Sequence, residues 1–270
     1  MHSLELIDAW PVPNVAAAVV TADGILATRG AIDRIFPLAS VTKLITAQAV
    51  LVAAEEGVVE LDDPAGPPGA TIRHLLAHAS GLSFDGHDVQ GTPAHRRIYS
   101  NGGYELLGGI VATRSGFSFP DYVREAVTAP LGMTNSSVPG HAGQSGLATA
   151  DDIAILAREL LTPTLLAAET HAMATAVAFP GIDGVLPGYG VQRPNDWGLG
   201  PEIRGTKHPH WTGSNNSPGT VGHFGQSGTL CWADPVAGIG LVALTDRDFG
   251  DWAKPLWSAL ADAVLAEWAS

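Results

Sequence analysis

Residues 36–43 read Phe36-Pro37-Leu38-Ala39-Ser40-Val41-Thr42-Lys43 and lead directly into a long apolar stretch. The pattern predicts a helix over residues 40–56, with Gly57 as its C-terminal stop. Because Ser40 and Lys43 are three positions apart, their side chains lie on one face of that helix, one turn apart. A serine at a helix N-terminus meets free N–H groups and the positive end of the helix dipole, which favour a developing oxyanion. A lysine among apolar neighbours is desolvated, so its pKa falls towards that of a usable base.

The motif Ser40-Val41-Thr42-Lys43 also has an ordinary structural interpretation. Ser40 could be a plain helix cap, and Lys43 could extend its ammonium group out of a normal helix into water. The chain has fifteen serines but only three lysines, so the spacing Ser-x-x-Lys should arise by chance roughly 0.2 times. The motif therefore points to a nucleophile with its base, while the capping interpretation stays open.

Composition limits the class of protein. The chain has 270 residues, of which 46% are hydrophobic and 15% are charged, and this predicts a globular protein with a sizeable core. A formal net charge of −13 argues against binding to nucleic acid or to an anionic membrane surface. The single cysteine, Cys231, excludes a disulfide framework and a multi-cysteine zinc cluster.

The sequence shows no apolar run approaching the ~18 residues of a membrane span. The first thirteen residues have no basic start and no apolar core, so they do not look like a secretory signal. We therefore expect a cytoplasmic location.

Strand patterns lie at both ends of the chain, and helical patterns lie between them. The predicted strands cover residues 15–21, 26–31, 223–233 and 238–245, and a final amphipathic helix covers 251–268. The first two strands are joined at Asp23-Gly24, which is a strong hairpin signal. We therefore expect one domain over residues 1–270 of the α/β (α+β) class. Its sheet would come from about 10–35 and 195–250, its helical lobe from about 60–190, and its site from the cleft between them.

Two further segments carry side chains or backbone groups suited to catalysis. Tyr99-Ser100-Asn101 precedes two glycines and offers a phenol that could move a proton and an amide that could orient a substrate. His223-Phe224-Gly225-Gln226-Ser227-Gly228 leads into a strand, and its glycines would let an acyl group approach exposed amide donors. Each segment alone is equally compatible with an ordinary loop or a strand flanked by turns.

Several other chemistries are excluded. No serine has glycine at both i−2 and i+2, so the nucleophile elbow of α/β-hydrolases is absent. The chain also lacks a phosphate-binding loop and a dinucleotide-binding fingerprint. His74 and His78 have the spacing of a metal-binding pair, but no acidic residue lies between them, which favours an ordinary packed or surface pair.

In this order, the three segments resemble those of the serine β-lactamase and penicillin-binding-protein superfamily, and in particular class C β-lactamases and related esterases. Further stretches resemble the family, and the resemblance extends from about residue 15 to 250. They are Leu75-Leu76-Ala77-His78-Ala79-Ser80-Gly81-Leu82, Gly103-Tyr104-Glu105-Leu106-Leu107-Gly108, Pro130-Leu131-Gly132-Met133, Gly146-Leu147-Ala148-Thr149-Ala150-Asp151-Asp152 and Trp197-Gly198-Leu199-Gly200.

The resemblance implies a role for each matching residue. Ser40 would be the acyl-forming nucleophile, and Lys43 would be its base or would tune that base. Tyr99 would be the proton shuttle to the leaving group and the deacylating water. Asn101 would orient the substrate, and the amides of Ser40 and Gln226 would form the oxyanion hole. The implied fold is an antiparallel sheet flanked by helices with an adjacent helical lobe, and no metal or organic cofactor is implied.

The third segment departs from the family pattern. Penicillin-recognising members usually have Lys-Thr-Gly where this chain has His223-Phe224-Gly225. Phe224 cannot donate a hydrogen bond, and His223 is at most partly charged at neutral pH. Losing one charge-assisted bond to a substrate carboxylate typically costs ~1.5–3 kcal/mol.

We therefore expect a carboxylesterase that acts on a small-molecule ester or amide through a Ser40 acyl-enzyme. A slow β-lactamase, a D-aminoacyl amidase and a catalytically inactive binding relative remain as alternatives. The sequence leaves the oligomeric state and the natural substrate open.

Overall fold

A computed structural model describes residues 2–269. Its centre is a six-stranded sheet in the order β2-β1-β10-β9-β8-β7, with every neighbouring pair antiparallel. The strands are β1 (Val15–Thr21), β2 (Gly24–Gly30), β7 (Glu202–Ile203), β8 (Val221–Gly225), β9 (Thr229–Asp234) and β10 (Ile239–Thr245). Strands from the two ends of the chain thus share one sheet, which confirms the fold class predicted from the sequence.

The two faces of the sheet belong to two apolar cores. Alternation along β1 sends Ala16, Ala18 and Val20 to one face and Ala17 and Val19 to the other, and all five are buried. The second face is covered by the last helix, α7 (Ala253–Trp268), through Trp257, Leu260 and Val264. Because both faces are buried, the central strands are almost wholly apolar.

The middle of the chain supplies most of the helices. They are α1 (Thr42–Glu55), α2 (Ile72–Leu76), α3 (Asn101–Ser115), α4 (Phe119–Val123), α5 (Ala150–Leu161) and α6 (Ala168–Thr175). Two short pairs lie among them, β3 (Phe36–Pro37) with β4 (Leu147–Ala148) and β5 (Gly184–Leu186) with β6 (Gly190–Gln192). Helix α1 packs against α3, whereas α5 lies on the sheet against β1, β9 and β10. The range 60–190 is therefore not purely a lobe, because α5 within it forms the second covering layer.

The structure corrects three expected boundaries. The single strand expected over 223–233 is a hairpin of β8 and β9, because the chain turns at Gln226, Ser227 and Gly228. Strand β2 begins at Gly24, directly after the turn, rather than at residue 26. Helix α1 begins at Thr42, after a single 3₁₀ turn over Ala39–Val41 that contains Ser40. Within residues 2–269 no helix is both long enough and apolar enough to cross a membrane.

Candidate active site

Ser40 lies in a tight turn between β3 and α1. Ala39, directly before it, adopts the left-handed conformation with φ of 45°, which L-residues rarely occupy. No side-chain cap is present at the start of α1, so Ser40 does not act as the ordinary capping serine. The turn leaves the Ser40 hydroxyl partly exposed at the head of a helix whose first twelve residues are buried.

Lys43 is the second residue of α1 and is fully buried. Its Nζ donates to Asn101 Oδ1 at 2.7 Å and to the Gly143 carbonyl at 2.8 Å, and it lies 3.4 Å from Ser40 Oγ. Burial lowers the pKa of Lys43 to about 7, although the Asp85 carboxylate partly opposes this effect. A neutral amine has two N–H donors and one lone pair. The two fixed acceptors use both donors, so the lone pair is left for the Ser40 hydroxyl.

Tyr99 forms the wall beside these two residues. Its ring centroid lies 4.7 Å from Lys43 Nζ, and its hydroxyl lies 3.4 Å from His223 Nε2. Burial raises the pKa of the Tyr99 phenol well above its ordinary value, and a hydrogen bond with Ser40 offsets part of this rise. Tyr99 is therefore a neutral phenol near pH 7, suited to giving a proton rather than to taking one.

Asn101 is the first residue of α3, whose N-cap is the Ser100 side chain. The Asn101 amide is held at both ends, because Oδ1 accepts from Lys43 and Nδ2 donates to Asp85 Oδ1 at 3.0 Å. The loop that carries Asp85 lies so close that a Cβ on Gly102 would fall 1.8 Å from the Gly86 carbonyl. Backbone packing thus fixes the Asp85–Asn101–Lys43 chain.

The turn between β8 and β9 is fastened to the segment before Ser40. Thr229 Oγ1 donates to the Leu38 carbonyl at 2.8 Å, and Ser227 Oγ donates to the Pro37 carbonyl at 2.6 Å. A Cβ on Gly225 would fall 2.3 Å from the Leu38 carbonyl oxygen, so only glycine permits this approach. Within residues 2–269 the Gln226 N–H has no hydrogen-bond acceptor. The Gln226 amide is thus available next to Ser40.

His223 is buried and faces Tyr99. Burial and the neighbouring Lys43 lower the pKa of His223 to about 3, so the imidazole is neutral at physiological pH. Its Nδ1 lies 2.7 Å from the Phe224 carbonyl, which can only accept a hydrogen bond, so Nδ1 carries the proton. Nε2 is then an acceptor for the Tyr99 hydroxyl, and the ring orients the phenol.

The Phe224 side chain belongs to the apolar core under the site. Its ring centroid lies 5.0 Å from that of Phe249 and 5.9 Å from that of Trp257. Trp211 and Tyr189 complete the cluster at 5.7 and 5.9 Å. Phe224 thus supplies an apolar wall at the position where the family motif has a hydroxyl.

These side chains enclose a cavity of about 70 Å³ above Ser40. It is lined by Ser40, Phe84, Tyr99, Leu186, Pro187, Trp197, Glu202, His223, Phe224 and Gln226. The structure thus brings together all seven residues singled out in the sequence, since Lys43, Asn101 and Gly225 contact the lining directly. No lysine or arginine lines this cavity, and its one acidic residue is Glu202.

Three nearby side chains were not assigned a role from the sequence. The buried carboxylate of Glu202 accepts hydrogen bonds from Lys207 at 2.6 Å, His210 at 3.0 Å and Trp211 at 2.7 Å. These contacts outweigh burial and lower the pKa of Glu202 to about 2, so it is ionised.

The other two are His78 and Asp85. The His78 ring packs on Tyr99 with centroids 4.4 Å apart, and its Nδ1 accepts the Ser100 N–H at 3.1 Å. His78 lies in a segment that already resembled the family, so its sequence context was a signal. Asp85 stands in an unremarkable Asp-Gly turn, which gave no such signal.

Comparison with known proteins agrees with this arrangement. The model of the family described as Beta-lactamase matches residues 8–265, almost the whole chain. The chain belongs to the β-lactamase family. This confirms the resemblance seen in the sequence and supports a hydrolase.

Among solved structures, one described as a β-lactamase from Mycobacterium bovis is 55% identical with a TM-score of 0.98, and the match covers 99% of this chain and 100% of that one. Esterase EstB of Burkholderia gladioli is 26% identical over 87% of this chain and 83% of its own length. Penicillin-binding protein 4* of Bacillus subtilis is 31% identical over 39% of this chain, and only 31% of its own length is covered.

Proposed function

We propose that this β-lactamase-fold protein is a serine hydrolase that forms an acyl-enzyme at Ser40 and acts on neutral carboxylic esters. The observation that carries the proposal is the environment of Lys43. Two acceptors at 2.7 and 2.8 Å can take both N–H groups of the neutral amine, which would leave its lone pair for the Ser40 hydroxyl, whose Oγ lies 3.4 Å from Nζ. A base whose pKa lies near 7 is well matched to proton transfer at neutral pH.

In the proposed acylation step, Lys43 takes the hydroxyl proton while Ser40 Oγ attacks the ester carbonyl carbon. The carbonyl oxygen becomes an oxyanion that accepts from the N–H groups of Ser40 and Gln226. When this intermediate collapses, the ester C–O bond breaks and Tyr99 gives its proton to the leaving alkoxide. The Lys43 ammonium restores the phenol proton, and water then hydrolyses the acyl-enzyme with the same residues acting in reverse.

The charge of the cavity supports a neutral substrate. A substrate carboxylate would meet the neutral imidazole of His223, the apolar ring of Phe224 and Glu202, whose charge is already paired with Lys207. None of these groups replaces the charge-assisted hydrogen bond that a lysine would provide. With about 70 Å³ above Ser40, the cavity suits a short acyl group of a few heavy atoms.

The relatives support two versions of this activity. The similarity to Esterase EstB extends over most of both chains and favours an esterase. The Mycobacterium bovis structure, described as a β-lactamase, favours β-lactam hydrolysis as the second candidate. We also propose that residues 1–270 act as one domain, because the site takes residues from both the sheet and the helices.

One experiment tests the nucleophile and the substrate class together. The protein is treated with a fluorophosphonate and its intact mass is measured, alongside Ser40→Ala and the exposed control Ser214→Ala. We expect one label on the wild type and on Ser214→Ala, and none on Ser40→Ala. The three proteins are then assayed with p-nitrophenyl acetate and with the carboxylate-bearing cephalosporin nitrocefin.

We expect kcat/KM for the acetate to exceed that for nitrocefin by at least the roughly one to two decades of one charge-assisted bond. Nitrocefin turnover equal to or above that of the ester would make the protein a β-lactamase instead. A folded wild-type protein that takes no label and cleaves neither substrate would be a binding relative, and the hydrolase proposal would be wrong.

A further inference from the structure

A second cavity opens beside the one above Ser40. Its volume is about 240 Å³, and it is lined by Phe84, Gln90, Arg96, Arg97, Ile98, Tyr99, Val185 and Pro187. Three of these residues, Phe84, Tyr99 and Pro187, also line the first cavity. The two spaces are therefore neighbours that share a wall, and Tyr99 is the only one of the shared three that carries an ionisable group.

The walls of the second cavity are held firmly in place. Arg97 is buried, and its guanidinium donates to the carbonyls of Ala77, Ala178 and Asn195 at 2.6–2.9 Å. The Arg97 backbone pairs with Gly184 at the start of β5 and donates to Asp183. The segment that carries Arg96 to Tyr99 and the hairpin that carries Val185 and Pro187 are thus fixed to each other.

Arg96 follows a different pattern from Arg97, whose side chain is buried and hydrogen-bonded. It is exposed, and the ion pairs and side-chain hydrogen bonds found among residues 2–269 do not include it. The surface on the way to it is apolar, because Phe84 and Val185 are 49% and 43% exposed. An apolar passage that ends at a free guanidinium suits a ligand with an apolar body and an anionic end.

The position of Tyr99 decides which part of a substrate enters this space. In the proposed reaction Tyr99 gives its proton to the leaving alkoxide, so the alcohol part of the ester lies on the Tyr99 side of Ser40. On that side of the wall formed by Phe84, Tyr99 and Pro187 lies the second cavity, and we place the alcohol part there. The acyl part stays above Ser40 in the smaller space.

We infer that the second cavity is a leaving-group subsite that binds an apolar alcohol with an anionic group at its far end, held by Arg96. This inference rests on the proposed esterase function. The proposed subsite distinguishes two positions for a negative charge on the substrate. An anion close to the scissile bond meets His223, Phe224 and Glu202, whereas an anion at the far end of the leaving group meets a cation.

The test uses acetate esters of two phenols, 4-hydroxybenzoate and 4-hydroxyphenylpropionate, each as the free carboxylate and as its methyl ester. The measured quantity is the ratio of kcat/KM for the carboxylate to kcat/KM for the methyl ester. The proteins are the wild type, Arg96→Gln, Arg96→Lys and Arg124→Gln, an exposed arginine remote from the cavity that controls for net charge. Comparing each variant with the wild type removes the intrinsic difference in reactivity between the two esters.

For at least one of the two phenols, which differ in the length of the arm that carries the carboxylate, we expect Arg96→Gln to lower this ratio about two- to fivefold. The change should come mainly through KM and has the size typical of an exposed charge pair. Arg96→Lys should keep most of the ratio, Arg124→Gln should keep all of it, and added salt should reduce the wild-type preference. A ratio unchanged by Arg96→Gln at both lengths would overturn the subsite while leaving the esterase intact. Failure of the wild type to cleave any of the four esters would instead overturn the proposed function.

Discussion

The pKa of Lys43 predicts how the reaction depends on pH. Acylation needs the neutral amine, and burial places its pKa at about 7. The neutral fraction is then about one eleventh at pH 6 and about ten elevenths at pH 8, so kcat/KM for a neutral ester should rise roughly tenfold over this interval. Above pH 8 the profile should level off, because burial holds the pKa of the Tyr99 phenol well above its usual range.

Three other ionisable groups near Lys43 do not change their charge between pH 6 and pH 8. Burial lowers the pKa of His223 to about 3 and that of His78 well below its ordinary value, so both rings stay neutral from pH 6 to pH 8. Burial holds the pKa of the Tyr104 phenol well above its ordinary value, so it also stays neutral. One ionisation should therefore describe the rise.

A charge-changing variant can identify the group that ionises. In Asp85→Asn the new amide oxygen can still accept from Asn101 Nδ2, while the negative charge that raises the Lys43 pKa is lost. The midpoint of the rise should then move to lower pH, and Asp62→Asn, an exposed carboxylate elsewhere, should leave it unchanged.

The assay measures the initial rate with p-nitrophenyl acetate at low substrate concentration and constant ionic strength. Samples are quenched at a single pH, and the total nitrophenol is read from its absorbance. A flat profile from pH 6 to pH 8, or a midpoint that Asp85→Asn moves to higher pH, would refute Lys43 as the base.

Two further predictions concern catalysis and stability. If Lys43 and Tyr99 act as one proton-transfer unit, the double variant Lys43→Ala/Tyr99→Phe should lose little more kcat than the worse single variant, and multiplicative losses would indicate independent roles. Phe224→Thr should destabilise the fold by about 3–5 kcal/mol in denaturant titration, because it leaves a void among packed aromatic rings. Phe224→Leu, which keeps the volume better, should cost less, and equal losses would argue against the void.

The sequence predicted those features of the site that depend on side chains at short spacing. Ser40 and Lys43 are three residues apart, so helical geometry alone places them together. Tyr99, Asn101 and His223 are distant from Ser40 in the chain, and only the resemblance to a family predicted that they meet it. Their convergence depends on tertiary packing, which no local pattern records.

Other features had no signal in the sequence. The Gly143 carbonyl that orients Lys43 is a backbone group, and every residue carries one. The strand pattern over 223–233 predicted the strand after Gly228, but it did not predict that β8 ends at Gly225 and pairs with it across the turn. The core position of Phe224 was also missed, since an aromatic residue in a buried strand can face either side of a sheet.

The bonds between the β8–β9 turn and the segment before Ser40 link the nucleophile to distant parts of the chain. Thr229 and Ser227 hold the carbonyls of Leu38 and Pro37, while β9 pairs with β10 and β10 pairs with β1. The reactive turn is thus part of the same cooperative unit as the central sheet. The alignment of the site therefore depends on strands from both ends of the chain, and not only on the local sequence around Ser40.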